Sequence, residues 1–388
     1  SLRRQRQMCI RDRVNEEQQM LKESARGFLA EHAPISEVRA QRDSGSELGY
    51  SPALWGKMAD MGWAAILVPE QFGGLAFGHV GMGQIIEETG RTLTASPLIS
   101  TAILGVTLIN LAGSDSQKAE LLGKIANGDL TLALAIDEGT QHSPANTKMS
   151  ASKQDGEYVL NGTKRYVIDG SSADNLIVVT RTSGNPGDLK GISLFNVNSD
   201  TNGINIERTN MVDGHNSSII TFTDVHVDEN SLLGEFDRGF RPLSTALDVA
   251  NVHLACELLG IAQESFDITL KYMKERKQFG TLIGSFQALQ HRAASWWSEI
   301  ELCKSIVLKA LQSLDEGDAK SPALASIAKA KLCEIVELST NEAIQLHGGI
   351  GMTDEYDIGF FIKRARPAQM LYGGYSYHAD RYALISGY

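Results

Sequence analysis

Basic residues are scarce in this chain of 388 residues: 36 lysines and arginines stand against 47 aspartates and glutamates, a formal net charge of −11. This negative balance argues against nucleic acid or an anionic membrane surface as the main partner. Long hydrophobic runs are also lacking, because no apolar stretch approaches the roughly 18 to 20 residues of a membrane span. We therefore expect a protein that binds no nucleic acid and does not cross a membrane.

Cysteine is rare as well. The four cysteines lack metal-ligand spacing, and Cys256, Cys303 and Cys333 fall in helical patterns. We expect these three to be buried in a reducing compartment, predict no metal site and place the protein in the cytoplasm. The 42% of hydrophobic residues is ordinary for a soluble globular protein, and the length allows two or three domains.

The first thirteen residues (SLRRQRQMCIRDR) differ from everything that follows. Five of them are arginines, in an otherwise acidic chain. The segment lacks the apolar core of a secretory signal, and although it is rich in arginine like a transit peptide, it resembles translated sequencing adapter more closely. We interpret residues 1–13 as a non-native segment.

Three blocks of different periodicity follow. Apolar residues recur at helical spacing in residues 14–128, alternate in short strand-like runs in 129–236, and return to long amphipathic helices in 237–388. This predicts an α+β multidomain fold with an N-terminal helical domain, a central antiparallel β-sandwich or barrel and a C-terminal four-helix bundle. No parallel α/β alternation is visible, which argues against a nicotinamide-binding Rossmann fold.

Individual elements can be predicted inside these blocks. Helices are expected at Glu16–Glu31, from Ser51-Pro52 onward and at Gly81–Gly90. The predicted strands are Leu132–Ile136, Glu157–Leu160, Lys164–Ile168, Asn175–Thr180, Ile192–Asn196, Ile204–Arg208 and Ser218–Val225. The predicted bundle helices are Phe240–Glu275, Ser285–Glu316, Pro322–His347 and one segment after Asp354.

Two motifs in the last block are the most informative: RKQFG at 276–280 and QLHGGIGM at 345–352. In this order, within a helical C-terminal third, they resemble the flavin-contacting elements of the acyl-CoA dehydrogenase family. The stretch PEQFGG at 69–74 is similar to a family element at the same place. The residues that match the family's cofactor contacts in the two motifs are Arg276, Gln278, Phe279, Gln345, Gly348 and Gly349.

The resemblance implies FAD as the cofactor and α,β-dehydrogenation of an acyl-CoA to the 2-enoyl-CoA, as in fatty-acid β-oxidation. It also implies an electron-transfer flavoprotein as electron acceptor. In the family, the arginine of the first motif reaches the FAD pyrophosphate of a neighbouring subunit, and the paired glycines of the second approach that neighbour's flavin through backbone. The glycines also suit a helix C-cap, so both interpretations of Gly348 stay open.

The elements that the family uses within its own subunit are altered. The family's Thr-Glu-Pro-Gly-x-Gly-Ser-Asp corresponds here to residues 136–143 (IDEGTQHS), and its Trp-Ile-Thr corresponds to Tyr166-Val167-Ile168. Tyr166 can still stack on a flavin ring, whereas Ile168 cannot donate a hydrogen bond to it. The matching cofactor positions of this chain are Ile136, Tyr166 and Ile168.

No catalytic base is found where the family places one, so the catalytic residue stays unassigned. The Tyr-Glu-Gly-Thr motif reads YGGY at 372–375, and the other family position, on the first bundle helix, is Ala250. Asp248 faces elsewhere, roughly 200° around the helix, and Glu257 lies about 10 Å along the axis. We expect salt-bridging or capping roles for both carboxylates.

Two hypotheses remain open. In the first, the chain is a base-less subunit that completes the flavin site of a homologous chain in a hetero-oligomer. The stretches GGIGMTDE at 348–355 and YHADRYA at 377–383 resemble the small subunits of two-gene members such as pimeloyl-CoA dehydrogenase. In the second, the chain is a self-sufficient homotetramer that uses an unrecognised carboxylate as base. The acyl group of the substrate cannot be read from either.

Overall fold

A computed structural model describes residues 14–388. The chain folds into two compact units, a helical unit of residues 14–39, 79–94 and 251–388 and a sheet unit of residues 40–78 and 95–250. Along the chain, helices come first, then a β-sheet, then helices again, so the predicted fold class is confirmed. The segment interpreted as non-native lies outside the described residues.

The N-terminal block is helical, as its periodicity predicts. The first helix begins at residue 16 because Asn15 and Gln18 cap it reciprocally, each side chain accepting the other's backbone N–H. Ser51 caps the third, accepting the N–H of Leu54 at 3.3 Å. The elements are α1 Glu16–His32, α2 Ile35–Ser44, α3 Pro52–Asp60, α4 His79–Thr92, a π-helix at Leu98–Gly105, α5 Val106–Ala112 and α6 Asp115–Ala126.

The central block forms one eight-stranded sheet in the order β6-β7-β3-β2-β4-β5-β8, with β1 paired to β4. The strands are β1 Leu132–Ala135, β2 Ser150–Gln154, β3 Glu157–Ile168, β4 Asn175–Arg181, β5 Ile192–Asn198, β6 Ile204–Asn210, β7 Asn216–Val227 and β8 Leu232–Leu233. Two predicted runs are one strand, β3, which is irregular after Leu160 and after Lys164. The pairing is mostly antiparallel, but β1 and β4 run parallel, which alternation alone does not reveal.

The sheet curls around a single core. Tyr158 on β3 and Phe195 on β5 lie three strand positions apart, about 14 Å in a flat sheet. Their ring centroids are nevertheless only 5.0 Å apart, and both rings are buried. One cluster of buried side chains joins β1, β2, β3, β4, β5 and β7. The barrel-like curvature therefore follows from apolar residues that share one interior.

The C-terminal block contains three long helices and two short ones. A small hairpin connects the first long helix to the second. The prediction of a single fourth bundle helix is wrong, because the chain forms two shorter helices there, separated at residues 371–374. The buried Lys329 ammonium accounts for the break: it donates to the carbonyls of Gln369, Leu371 and Gly373 at 2.8–3.1 Å, which a continuous helix would need for its own N–H groups. The elements are α7 Phe240–Glu275, β9 Lys277–Gln278, β10 Thr281–Leu282, α8 Gln287–Asp315, α9 Ser321–His347, α10 Ile358–Met370 and α11 Tyr375–Ile385.

Helix α7 has the predicted bounds but is more apolar than expected. By length and composition it could cross a membrane, so the expectation that no stretch approaches that length is wrong. However, 94% of its most apolar window is buried inside the protein. Its packing is close: a Cβ at Gly260 would lie 2.0 Å from the carbonyl oxygen of Glu87 on α4, so only glycine fits there. The helix is a core element of this fold.

The three cysteines of the bundle are buried, as expected, and carry free thiols. Burial raises the pKa of the Cys303 thiol to about 12, which leaves it unreactive at neutral pH. In residues 14–388, no group of three or more histidine, cysteine, aspartate or glutamate side chains is placed to hold a metal ion.

Candidate functional site

A tight hairpin, residues 276–282, projects from the end of α7, and we call it the arm hairpin. The backbone N–H of Arg276 still bonds to the Tyr272 carbonyl at 2.8 Å, and β9 then pairs with β10. Both turn residues, Phe279 and Gly280, have positive φ, +54° and +78°, as a type I′ turn requires. Phenylalanine rarely takes that conformation, so the turn presents its ring at a cost in backbone strain.

The side chains of the arm hairpin that match the family's cofactor contacts are exposed. Phe279 is 91% exposed, and its ring makes a T-shaped contact with the Phe286 ring, with centroids 6.3 Å apart. Arg276 is exposed too, and its guanidinium has no hydrogen-bond or ion-pair partner in the part of the chain that the structure describes. The side-chain amide of Gln278 donates a hydrogen bond to the Lys277 carbonyl oxygen at 2.9 Å. An exposed aromatic ring and an unpaired cation are thus available to a group outside this chain.

The second motif forms a 3₁₀ turn, residues 348–352, which we call the glycine turn. It follows α9 directly, and Gly348, with φ of +64°, caps that helix. The backbone of Gly349 does not have the positive φ that favours glycine, and a Cβ added to this residue would meet no atom within 4 Å. The chain itself therefore gives no reason for glycine at 349. Gln345, Gly348 and Gly349 are at least partly exposed, so an external group can approach this backbone closely.

The structure brings these two elements together, which the sequence does not show. The ring of Tyr272, one helical turn before Arg276, stacks on the ring of His347, directly before Gly348, with centroids 4.4 Å apart. Neither residue was among the predicted site residues. The spacing to the motifs was the available signal: Tyr272 lies four residues before the arginine, and His347 lies within QLHGG.

In the sheet unit, the loop of residues 136–143 is held by the protein's own groups. The buried Lys164 ammonium donates to the Ile136 carbonyl at 2.9 Å and to Glu138 at 2.8 Å. Glu138 also accepts backbone N–H groups at 148 and 149. Burial lowers the pKa of Lys164, while the adjacent Glu138 carboxylate acts in the opposite direction. The Ile136 side chain is buried, so only the backbone of this residue can contact a group that lies against the loop.

A second contact closes the same loop. His142 places its Nδ1 atom 3.0 Å from both carboxylate oxygens of Asp137, and the imidazole is almost completely buried. By the match of residues 136–143 to the family's motif, His142 takes the place of the serine in its glycine–serine–aspartate, and Asp137 takes the place of its glutamate. The polar side chains at both ends of the loop are therefore engaged with each other.

The strand that borders this loop presents one aromatic ring. Tyr166 lies in the β3 irregularity with φ of +53° and is 47% exposed. Ile168 is half-buried and pairs with Ser217 of β7. The Tyr166 ring can thus stack on a planar group, and position 168 offers no hydroxyl beside it.

The two positions that match the family's base in sequence carry no carboxylate. Ala250 is buried on α7, and residues 372–375 turn between α10 and α11 with the Tyr372 carbonyl accepting from Asn251 and His378. Asp248 is buried. Glu257 accepts from the Arg364 Nε at 2.7 Å, and both side chains are less than a tenth exposed. Glu257 thus has the salt-bridging role expected of it.

Comparisons with known proteins place all three blocks. The chain matches the models for the acyl-CoA dehydrogenase N-terminal domain over residues 15–129, the middle domain over 134–225 and the C-terminal domain over 237–382. Together these matches span both units of the structure.

Three relatives show how close the similarity is. The chain is 32% identical over 364 residues to the probable acyl-CoA dehydrogenase YngJ of Bacillus subtilis, covering 91% of this chain and 93% of that protein. It is 30% identical over 351 residues to the caffeyl-CoA reductase–Etf complex subunit CarC of Acetobacterium woodii, covering 89% and 91%. Among solved structures, it superposes on a chain of the Tcur3481-Tcur3483 steroid ACAD with a TM-score of 0.85 and 29% identity, covering 96% and 98%.

These matches run nearly end to end in both partners and agree with the order of helical, sheet and helical blocks. The family's members are FAD flavoproteins and oxidoreductases of acyl-CoA thioesters. The chain therefore belongs to the acyl-CoA dehydrogenase family.

Proposed function

We propose that the chain is a subunit without a catalytic base in a hetero-oligomeric acyl-CoA dehydrogenase, in which its arm hairpin and glycine turn complete the flavin site of a homologous chain. FAD, when bound, would accept the hydride from the β-carbon of an acyl-CoA as the 2-enoyl-CoA forms. The observation that carries the proposal is the exposed arm hairpin: its Phe279 ring is almost fully exposed, and its guanidinium is unpaired among residues 14–388.

The arm residues fit the cofactor. A flavin dinucleotide carries a pyrophosphate, which a guanidinium binds through paired charge-assisted hydrogen bonds. Arg276 is exposed and unpaired among the described residues, so it can make them without breaking an existing ion pair. We infer that Arg276 holds the pyrophosphate, Gln278 and Phe279 border it, and Gln345, Gly348 and Gly349 lie against the flavin through backbone.

The chain's own flavin pocket is a weaker fit. Tyr166 offers a stacking surface, but Ile168 offers no hydrogen bond, and the loop of residues 136–143 is closed by the Asp137–His142 contact. The Nδ1 atom of His142 is engaged with Asp137, and the imidazole is almost completely buried, so a cofactor cannot reach this ring from solvent. We infer that this pocket holds flavin poorly, so that a competent pocket must come from the sister chain.

Two relatives support a multi-component enzyme. CarC is named as a subunit of a complex with Etf, and the steroid ACAD joins two proteins in its name. By analogy we propose a homologous, glutamate-bearing chain as the structural partner and an electron-transfer flavoprotein as the electron acceptor. Cytoplasmic location is part of the same proposal.

A self-sufficient enzyme is the second candidate, and Glu257 is the residue that favours it. While its Oε1 accepts from Arg364, its Oε2 is buried with no hydrogen-bond partner among residues 14–388. An unpartnered carboxylate oxygen can accept a proton. The other carboxylate oxygen, however, is held by the Arg364 guanidinium at 2.7 Å in a buried ion pair.

Co-expression with a homologous chain that carries the family's glutamate tests the proposal. We expect a mixed tetramer that contains about one FAD for every two chains, since each flavin needs one competent pocket and one arm. The measurement is the ratio of flavin absorbance to protein, with chain composition from intact mass spectrometry. A homotetramer of this chain with one FAD per chain contradicts the proposal and supports the self-sufficient enzyme.

A further inference from the structure

The arm hairpin and the glycine turn are joined by a cluster of three aromatic rings, in which two rings are stacked and the third packs against both at an angle. His347 stacks on Tyr272 with an interplanar angle of 28°, and the ring of Tyr356 lies 4.9 Å from His347 and 6.1 Å from Tyr272, centroid to centroid. The Tyr272 hydroxyl also donates to the His347 carbonyl at 3.5 Å. Because Tyr272 leads into the hairpin and His347 into the turn, the stack fixes one element relative to the other.

The hydrogen bonds of His347 define its protonation state in this arrangement. Its Nδ1 lies 2.7 Å from the Ala343 carbonyl, so Nδ1 carries the proton and donates it. Nε2 is then the unprotonated nitrogen of a neutral ring. It is buried and has no hydrogen-bond partner in the described part of the chain.

We propose that His347 is the positioning residue that ties the arm hairpin to the glycine turn, and that uptake of a proton at its Nε2 loosens both elements. The contacts of His347 with Tyr272 and Ala343 tie the arm hairpin to the glycine turn whether or not a flavin is bound. The statement about flavin rests on the proposed function, because only there do the two elements contact a flavin.

The groups around His347 decide whether a proton is tolerated. Helix α7 contributes Tyr272, which stacks on His347, and its exposed end carries Glu275, which lies close enough to act on the neighbouring Tyr356 hydroxyl. The segment before α10 contributes Tyr356 and Asp357, and the Asp357 carboxylate is already paired with Arg39 of α2 at 2.8 Å. Neither carboxylate accepts a hydrogen bond from His347.

Two effects oppose each other when His347 is protonated. A cation stacked on tyrosine gains a cation–π attraction. An N–H at Nε2, however, lies in the plane of the imidazole and cannot point at the face of a ring that is stacked on it, so it stays buried without an acceptor. The second effect is the larger one, and burial accordingly lowers the pKa of His347 despite the Ala343 carbonyl. To hydrate the new N–H, the ring must leave the stack.

The sign of the pH effect follows. The closed stack favours neutral His347, so it is fully stable above about pH 6.5, the pKa of a solvated histidine, and weakens as the pH falls below that value. Between the pKa of a solvated histidine and the lower pKa of His347 in the closed stack, the fraction of molecules with an open stack grows by up to about tenfold for each unit that the pH falls.

Amide hydrogen exchange of the full-length chain, without partner or flavin, tests this directly. After correction for intrinsic exchange, the amides of residues 276–283 and 348–353 should exchange up to about tenfold faster per pH unit below about pH 6.5. His347→Gln and His347→Phe should abolish that dependence, whereas His291→Gln, at an exposed histidine of α8, should leave it unchanged. A pH-independent arm in the wild type, or an unchanged slope in the His347 variants, overturns the proposal.

Two further measurements keep the test decisive. The NMR titration of His347 in the wild-type chain needs no variant, and a midpoint at or above about 6.5 overturns the proposal. In the co-expressed complex, flavin retention should fall over the same pH range as the exchange rises. An arm that loosens while retention stays constant supports the role of His347 and overturns the assignment of the arm to flavin.

Discussion

Mixed anaerobically with a panel of acyl-CoA thioesters, the purified chain alone is expected to leave the absorbance of reconstituted flavin unbleached. An α C–H is a very weak acid, and loss of a positioned general base costs roughly 10²- to 10⁴-fold in rate. In this chain the two family positions for that base are Ala250 and the YGGY turn at 372–375. Excess FAD during reconstitution separates a slow reaction from an empty pocket.

The matched control for that experiment is the same mixture with the glutamate-bearing homologue added, which should restore bleaching. Rapid bleaching by the chain alone, with any of the thioesters, would contradict the base-less assignment. The variants Glu257→Gln and Asp248→Asn would then identify the carboxylate responsible, since each removes a charge while keeping the side-chain shape.

Substituting Arg276→Ala in this chain is expected to weaken FAD binding by the co-expressed complex about 10- to 150-fold. The change removes a charge-assisted contact to pyrophosphate worth roughly 1.5 to 3 kcal/mol. Flavin occupancy after gel filtration at low free FAD measures the effect. The fold should be unaffected, because Arg276 is exposed and its side chain makes no hydrogen bond or ion pair within residues 14–388.

Lys277→Ala is the matched control, because Lys277 is the adjacent exposed cation on the same hairpin and lies outside the residues matched to the cofactor. It should lower occupancy little, since a solvated charge beside a binding site contributes only a weak, salt-screened attraction. Equal losses in the two variants would mean that the hairpin acts through net charge. An unchanged occupancy in Arg276→Ala would remove Arg276 from the flavin site altogether.

Local sequence features predicted most of the fold. The capping residues Asn15 and Ser51 set the starts of α1 and α3, and apolar periodicity indicated the long helices of the bundle. Long-range contacts account for the failures. The break at 371–374 depends on the Lys329 ammonium, about forty residues away in sequence, and the parallel pairing of β1 with β4 depends on which edges meet. Neither contact leaves a local periodicity to read.

At the candidate site, too, local signals could be read from the sequence, whereas contacts between distant residues could not. The arm residues could be chosen from two motifs, because glycines and an arginine in a fixed order are local signals. The Tyr272–His347 stack could not, since its members lie 75 residues apart, and their positions next to the two motifs do not show that the rings meet. The Asp137–His142 contact closes over five residues, yet an aspartate and a histidine at that spacing have no distinctive signature without the loop's shape.

The most direct test of the account is the flavin content of the co-expressed complex with Tyr166→Ala in this chain only. Tyr166 is the exposed ring of this chain's own pocket, on the sheet unit, whereas the arm residues lie on the helical unit. If this chain contributes only its arm, flavin content should equal that of the wild-type complex, at about one FAD per two chains, while Arg276→Ala lowers it. Loss of flavin on Tyr166→Ala, from a complex that began with one FAD per chain, would show instead that this chain's own pocket binds the cofactor.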